Sequence, residues 1–352
     1  MRKWFSRSNP LLYGAIAILI MVPVFLFPSR QVQAAVTCQP TGFMKDSLNL
    51  TAAQIVTTSA SILSKTIDAT GCNIGVYFAP GSSGFISSSE ISGANYYGVL
   101  NNGGNVTVLE SHIHNIGENP FNGAQHGVDL EFFSSGGTIA GGSIIGNLFE
   151  KYQKGGIDLL GSGTSANVLT NTVTGLGPVS FTAQNGIEVG EDAQASLTGN
   201  TVSGNSYTGT GGVASGGILV FGGMLCYGSA LTTGTAITGN TLSGNDVGVF
   251  LSNLADVASC TQPATTPTNI AVTSNAISNT SVNNTSGTNL SGQPGGYQAG
   301  VSDQGDSDRI TGNRICGLGY TPVVTPPPYL FMIDVTNTIT PSVSGNTTSP
   351  TC

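Results

Sequence analysis

Two short phrases of alternating apolar and polar residues recur along most of the chain. In the first phrase an asparagine follows a small or polar residue, and an apolar residue lies two positions after the asparagine. The copies of this phrase centre on Asn147, Asn171, Asn200, Asn240, Asn275, Asn313 and, more weakly, Asn346. In the second phrase a glycine opens a run of apolar, variable and apolar residues; its copies begin at Gly127, Gly156, Gly186, Gly217 and Gly248, with an early copy at Gly98 and a broken one at Gly300. A period near 30 residues, with short period-2 strands in each repeat, predicts a solenoid of stacked strands.

The asparagines of the first phrase are predicted to be structural. Asparagine and glycine both tolerate positive φ, so they mark corners between strands. An asparagine at the same corner in each coil can hydrogen-bond to its equivalents above and below, which predicts an asparagine ladder rather than a ligand site.

The beginning of the chain divides into a signal segment and a cap. Arg2, Lys3 and Arg7 precede the apolar run 11–27, and small residues at 32–34 offer a cleavage site, which is the pattern of a secretory signal peptide; an uncleaved anchor is the alternative. Apolar residues in 50–69 recur at roughly helical spacing after Thr51, which predicts a short capping helix. The predicted organisation is a signal peptide at 1–34, an N-terminal cap at 35–70 and a solenoid at 71–352, secreted and without a stable membrane span after cleavage.

All six cysteines follow the signal segment, and an even number in an exported chain indicates disulfides. The repeat register favours sequential pairing, because the two central cysteines follow the glycine phrase at similar offsets and the last two follow the asparagine phrase. The predicted bridges are Cys38–Cys72, Cys226–Cys260 and Cys316–Cys352.

On these two phrases, and on the opening run Gly75 to Gly81, the chain resembles the right-handed parallel β-helix repeat proteins, the superfamily that includes pectate and pectin lyases. The resemblance implies an all-β fold, a right-handed parallel β-helix, here with the short N-terminal capping helix. For activity it implies a polysaccharide groove beside an acidic strand, Ca²⁺ that neutralises a uronate, and a Lys or Arg base. The Gly-His-Gly, Arg-x-Lys and Asp-Pro-His signatures of individual enzyme families are absent.

Charge is scarce and unevenly placed. Only 8% of residues are charged, and removing residues 1–34 leaves six basic against 18 acidic residues, so no basic patch is available for nucleic acid. Residues 110–192 hold all three histidines and nine of the 18 acidic residues. Chemistry, if present, is therefore expected in these coils.

Alignment of the glycine phrases predicts a column of carboxylates. The variable, outward position of successive copies is Leu100, Asp129, Asp158, Glu188, Leu219 and Phe250, with neighbours about 4.8 Å apart. Like charges at that spacing repel. A bound cation would relieve the repulsion, and Ca²⁺ suits carboxylate oxygens. The candidate metal ligands are Asp129, Asp158, Glu188 and Glu131. The alternative is that the column is a solvated acidic surface without a bound ion.

The candidate catalytic residues are Asp129, Asp158, Glu188, His126 and Lys154. Lys154 is the candidate base of a lyase, whereas a hydrolase would use paired carboxyl groups. His112 and His114, with His126, could instead hold a transition metal. The sequence thus predicts a protein that binds or acts on an extracellular polysaccharide or cell-surface glycan; the alternative is a non-catalytic adhesive or structural solenoid.

Overall fold

The computed structural model describes residues 36–210, 212–255, 260, 262–285 and 295–352. The predicted signal peptide at 1–34 lies outside the described residues. The described chain is wound into coils, and a typical coil gives one strand to each of three long sheets, called here sheets A, B and C.

Strands in one sheet pair with their equivalents in the next coil, and nearly all of this pairing is parallel. Sheet A contains Gln39–Lys45, Leu48–Val56, Ile74–Phe78, Tyr97–Asn102, Val128–Phe133, Gly155–Leu160, Asn185–Gly190, Gly216–Gly222, Val247–Asn253, Tyr297–Asp303 and Tyr329–Asp334. Sheet B contains Ser59–Leu63, Ser83–Ser87, Asn105–Leu109, Gly141–Ile145, Ser165–Leu169, Gln194–Thr198, Ala236–Thr238, Ala271–Thr273, Arg309–Thr311 and Ser342–Ser344. Sheet C contains Thr66–Asp68, Glu90–Ser92, His112–Ile116, Leu148–Tyr152, Thr172–Val179, Thr201–Tyr207, Thr241–Ser243, Ala276–Ser278, Arg314–Cys316 and Thr347–Ser349. This is the predicted parallel β-helix.

The core lies inside the coils, where each strand turns one row of apolar side chains inward. In sheet A the inward row is Val76, Val99, Leu130, Ile157, Ile187, Ile218, Val249 and Val301, all fully buried and in register from coil to coil. The side chains between them point outward, since successive residues of a strand face opposite ways. The outward faces are therefore where the repeat leaves room for function.

The predicted asparagine ladder is confirmed. Each side-chain amide donates to the side-chain oxygen of its equivalent in the next coil at 2.9–3.0 Å, from Asn147 through Asn171, Asn200, Asn240, Asn275 and Asn313 to Asn346. The second amide hydrogen reaches a backbone carbonyl; for Asn200 this is the Val168 oxygen at 2.9 Å. The rungs that the structure describes are thus both donors and acceptors.

The predicted N-terminal capping helix is wrong. Residues 50–69 form strands of all three sheets, and Leu50, Ala52 and Val56 are buried at the even spacing of a strand. The parallel neighbour Ile74–Phe78 supplies the backbone partners that a helix would have made internally. The end of the solenoid is covered instead by Gln39–Lys45, which pairs antiparallel with Leu48–Val56 to form the N-terminal hairpin.

The three predicted disulfides are present. Cys38–Cys72, Cys226–Cys260 and Cys316–Cys352 have Cα–Cα distances of 5.4, 5.5 and 5.3 Å. The first bridge attaches the segment before the N-terminal hairpin to the coil beneath it. Among described residues the helices are the single turns Met224–Tyr227 and Leu318–Tyr320, the latter a 3₁₀ helix, and none is long and apolar enough to cross a bilayer.

Candidate functional site

Three carboxyl groups stand in direct register on the outward face of sheet A. Glu131 pairs with Asp158, and Asp158 pairs with Glu188. Leu100 precedes this acidic column, and Leu219 and Phe250 continue it. Neighbouring strands are about 4.8 Å apart, so the three acids form one continuous acidic stripe.

Asp129 does not belong to the acidic column, and its predicted place there is wrong. The register puts Leu130 opposite Ile157, so Asp129 occupies the position that Gly156 takes in the next coil. A Cβ at Gly156 would lie 2.6 Å from the Gly186 carbonyl oxygen and against Val173 of the core. The position therefore faces inward. Gly127 imitates the start of the repeat phrase, and that imitation shifted the predicted alignment by two residues.

Asp129 is thus a carboxyl group inside the solenoid. It is fully buried, and neither of its oxygens has a hydrogen-bond partner among the described residues. Burial raises its pKa well above the ordinary value.

The acidic column is nearly dry. Glu131, Asp158 and Glu188 are 4%, 5% and 8% exposed. Burial raises the pKa of Glu131 to about 7, against the opposing charge of Lys45. Burial, then the charges of Glu188 and Glu131, raise the pKa of Asp158 well above its ordinary value. Protonation of Glu131 and Asp158 is therefore favoured relative to isolated carboxyl groups.

The partners of the acidic column are few. Asn185 Nδ2 donates to Glu188 Oε1 at 2.5 Å, and Asp158 Oδ1 is buried without a hydrogen-bond partner. The N-terminal hairpin lies at the other end of the column, where the Phe43 ring is 5.9 Å from that of Phe133. The charge of Lys45, on the same hairpin, lowers the pKa of both Glu131 and Asp158.

An open cleft of about 690 Å³ begins where the acidic column ends. Asn185, which holds Glu188, lines it together with Leu219 and Phe250. Aromatic side chains supply much of the remaining wall, namely Phe181, Tyr207, Tyr227 and Tyr297. Tyr227 is fixed there by a 2.7 Å contact between its hydroxyl and Ser252 Oγ. This aromatic cleft offers flat apolar rings with polar groups at their edges.

Comparison with known proteins establishes the family. The model of the right-handed β-helix region matches residues 48–224, half of the chain. The chain belongs to the right-handed β-helix family. No curated protein matches it in sequence. Among solved structures, the Dettilon tailspike protein has a TM-score of 0.48 at 13% identity, over 83% of this chain and 55% of its own. The periplasmic alginate epimerase AlgG has a TM-score of 0.33 at 10% identity, over 84% of this chain and 78% of its own.

This β-helix therefore spans about half the length of the tailspike chain it resembles. The match of the family model begins at residue 48, where the structure places the first parallel strand of sheet A.

Lys154 of this β-helix lines the aromatic cleft. Its Nζ donates to the Ala183 carbonyl oxygen at 2.9 Å, and its charge lowers the pKa of Asp158. His126 lies apart. Its Nε2 is 2.8 Å from Glu118 Oε1, and its ring stacks on Tyr96 with centroids 3.9 Å apart. The structure therefore brings Lys154, but not His126, to the column of acids.

This β-helix contains a second buried pair of carboxyl groups, which lies outside the predicted site. Asp303 and Asp308 are both fully buried near its C-terminal end. Burial and the neighbouring Asp303 raise the pKa of Asp308 to about 8. Asp308 Oδ1 accepts from Thr268 Oγ1 at 2.7 Å. The signal in the sequence is three aspartates within 303–308, a density found nowhere else in the charge-poor second half of the chain.

Proposed function

We propose that this β-helix is a secreted protein that binds a polysaccharide in the aromatic cleft and hydrolyses it with the carboxyl groups of Asp158 and Glu188. The observation that carries the proposal is the direct pairing of these two acids, of which Glu188 adjoins two cleft residues, Leu219 in the next strand and Asn185 through a hydrogen bond. A cleft with aromatic walls and a few polar groups is the usual form of a small-molecule or sugar site.

The electrostatics suit acid catalysis. Glycoside hydrolysis needs one carboxyl group that holds a proton and one that acts as nucleophile or base. Burial, and then the charges of Glu188 and Glu131, raise the pKa of Asp158 well above its ordinary value, which favours its protonated form. The two acids stand in register on adjacent strands about 4.8 Å apart, so one glycosidic bond can lie within reach of both carboxyl groups. Asp158 is therefore the proposed acid, and Glu188, held by Asn185, its proposed partner.

Bound Ca²⁺ would change the proposed chemistry. Glu131, Asp158 and Glu188 offer only oxygen donors, and Asp158 Oδ1 is buried without a partner, which fits a hard cation. These three residues would hold Ca²⁺, which would neutralise a uronate substrate. Lys154 would then be the only described base at the cleft, and a lyase rather than a hydrolase would be the activity.

The alternative is a glycan-binding solenoid without catalysis. The low exposure of the three acids favours it, because a sugar could lie on Phe250 and Tyr227 without contacting them.

The test is incubation of the disulfide-intact mature protein with neutral and uronate polysaccharides, with and without Ca²⁺. Reducing ends report any cleavage, ultraviolet absorbance reports the unsaturated product of a lyase, and affinity electrophoresis reports binding. We expect Asp158→Asn and Glu188→Gln to lose cleavage but retain binding, and Phe250→Ala to lose binding. Glu110→Gln, at an exposed acid outside the column, is the matched control.

Each other outcome has a definite meaning. Unsaturated product that requires Lys154 and Ca²⁺ would replace the hydrolase with a lyase. Binding that depends on Phe250, without cleavage by the wild type, would establish the non-catalytic alternative. Cleavage that survives Asp158→Asn, or no binding to any polysaccharide, would contradict the proposal.

A further inference from the structure

A second group of ionisable side chains lies on sheet C, away from the acidic column. His112 and His114 point outward from one strand, because Ile113 between them is fully buried in the core. Glu90 stands in register with His112 in the preceding coil, and Glu150 stands in register with His114 in the following one. Three successive coils thus place two imidazoles between two carboxylates on one outer face.

The side chains meet diagonally rather than straight across. His114 Nε2 is 3.1 Å from Glu90 Oε1, and His112 Nε2 is 3.2 Å from Glu150 Oε1. The two imidazole rings stack with centroids 4.1 Å apart and an interplanar angle of 28°. One ligand atom each from Glu90, His112 and His114 lies within 4.8 Å of the other two.

This arrangement offers a cation three donor atoms from two neighbouring coils. The two stacked rings present two nitrogen donors side by side, and a carboxylate oxygen of Glu90 lies next to them. A divalent transition metal binds histidine nitrogen at about 2.0–2.1 Å and carboxylate oxygen at about 2.0–2.2 Å. Small rotamer changes would bring the three atoms to those distances. The strands that carry them are fixed by parallel pairing on both sides.

A neighbouring amide can fix the ring that the metal needs. The Asn115 side chain is 2.7 Å from His114 Nδ1. The atom assigned there is Nδ2; with the amide turned by 180°, His114 Nδ1–H donates a hydrogen bond to Asn115 Oδ1, and Nε2 is left free as a ligand. Glu150 contacts the other ring, at His112, from the following coil.

We propose that Glu90, His112 and His114 bind one Zn²⁺ or a similar divalent transition metal on the outer face of sheet C, with Asn115 and Glu150 as supporting contacts. Nitrogen donors select such ions over Ca²⁺. The His112 and His114 side chains are 35% and 13% exposed, which leaves access for the ion and for water in the remaining coordination positions. The ion would clamp neighbouring coils, so it would also stabilise the fold.

The test is titration of the chelator-treated, disulfide-intact protein with Zn²⁺ by calorimetry, and with Co²⁺ by visible absorbance. We expect one ion per chain, a rise in Tm, and a roughly tenfold or greater loss of affinity in His112→Ala, His114→Ala and Glu90→Gln. His126→Gln is the matched control, because this third histidine pairs with Glu118 elsewhere and should leave the affinity unchanged.

Absence of binding at micromolar Zn²⁺, or binding that His112→Ala and His114→Ala leave unchanged, would overturn the proposal. Asp158→Asn separates it from the acidic column, because a transition metal that this variant releases is bound at sheet A instead. Circular dichroism of each variant confirms that any loss of binding occurs in a folded protein.

Discussion

The asparagine ladder and the acidic column are built in the same way and have opposite energetics. Both place similar polar side chains at one position of successive coils, almost out of contact with water. An amide donates and accepts, so Asn200 gives hydrogen bonds to Asn240 and Val168 and receives two from Asn171. A carboxylate only accepts, so Glu131, Asp158 and Glu188 can neither satisfy nor attract one another when ionised.

The difference separates structure from function in a repeat protein. A stack that satisfies its own members needs no further explanation than the fold. A stack in which burial raises the pKa of Glu131 and of Asp158 and leaves Asp158 Oδ1 unpaired costs stability. Such a cost is typical of sites with a role beyond packing.

The largest effect on stability is expected when a carboxyl group replaces an amide in the asparagine ladder. Asn200→Asp removes the donors to Val168 and Asn240 and sets a carboxylate against two oxygens. We expect a loss of about 3–5 kcal/mol in the free energy of unfolding. Denaturant unfolding of the oxidised protein at pH 7 measures it. The exposed neighbour Thr201→Ala should change stability little, and equal losses in the two variants would show that the ladder is not the cause.

The second effect is the dependence of stability on pH. The pKa of Glu131 rises from 4.5 to about 7 on folding, so the folded protein holds the extra proton between those values. Stability is therefore greatest below pH 4.5 and falls by about 3 kcal/mol from this group alone as the pH rises to 7. Unfolding followed from pH 4.5 to 8 measures the slope. Glu131→Gln should flatten it, whereas the exposed Glu110→Gln should not; a slope unchanged by Glu131→Gln would mean that this carboxyl group is solvated.

The third effect makes the column resemble the ladder. Asp158→Asn removes a buried carboxyl group whose ionisation at pH 7 is favoured in the unfolded chain, and it supplies an amide that can donate to Glu188. We expect a gain of about 2 kcal/mol at pH 7, which disappears at low pH, where the aspartate is already protonated. Thermal unfolding at both pH values tests it. A loss of stability at pH 7 would show that Asp158 has a charged partner that balances its burial.

The sequence predicts this fold well because the same pattern of residues recurs in successive coils. The asparagine phrase correctly predicted the seven residues of the ladder, because a corner between strands tolerates few other residue types. The disulfides followed from the same register. The N-terminal coil was missed because residues 50–69 lack both phrases, and their apolar spacing fits a helix as well as a strand.

The site was predicted less accurately, for a reason that the structure makes plain. Strand register decides which residue occupies the outward position, and a two-residue slip assigned to Asp129 the position that Glu131 holds. Spacing along the chain also could not show that His126 turns to Glu118 and Tyr96, since an insertion separates it from the preceding strand.

The smallest effect tests that correction. Asp129 occupies the glycine position of the repeat with a buried, unpaired carboxyl group, so Asp129→Gly restores the residue found at Gly98 and Gly156. Removing the unpaired carboxyl group should raise the free energy of unfolding by about 1–3 kcal/mol. The greater backbone freedom of glycine in the unfolded chain should lower it by about 0.5–1 kcal/mol. We expect a net gain near 1 kcal/mol by thermal unfolding, with polysaccharide cleavage unchanged. Loss of cleavage with the fold intact would place Asp129 in the catalytic site after all.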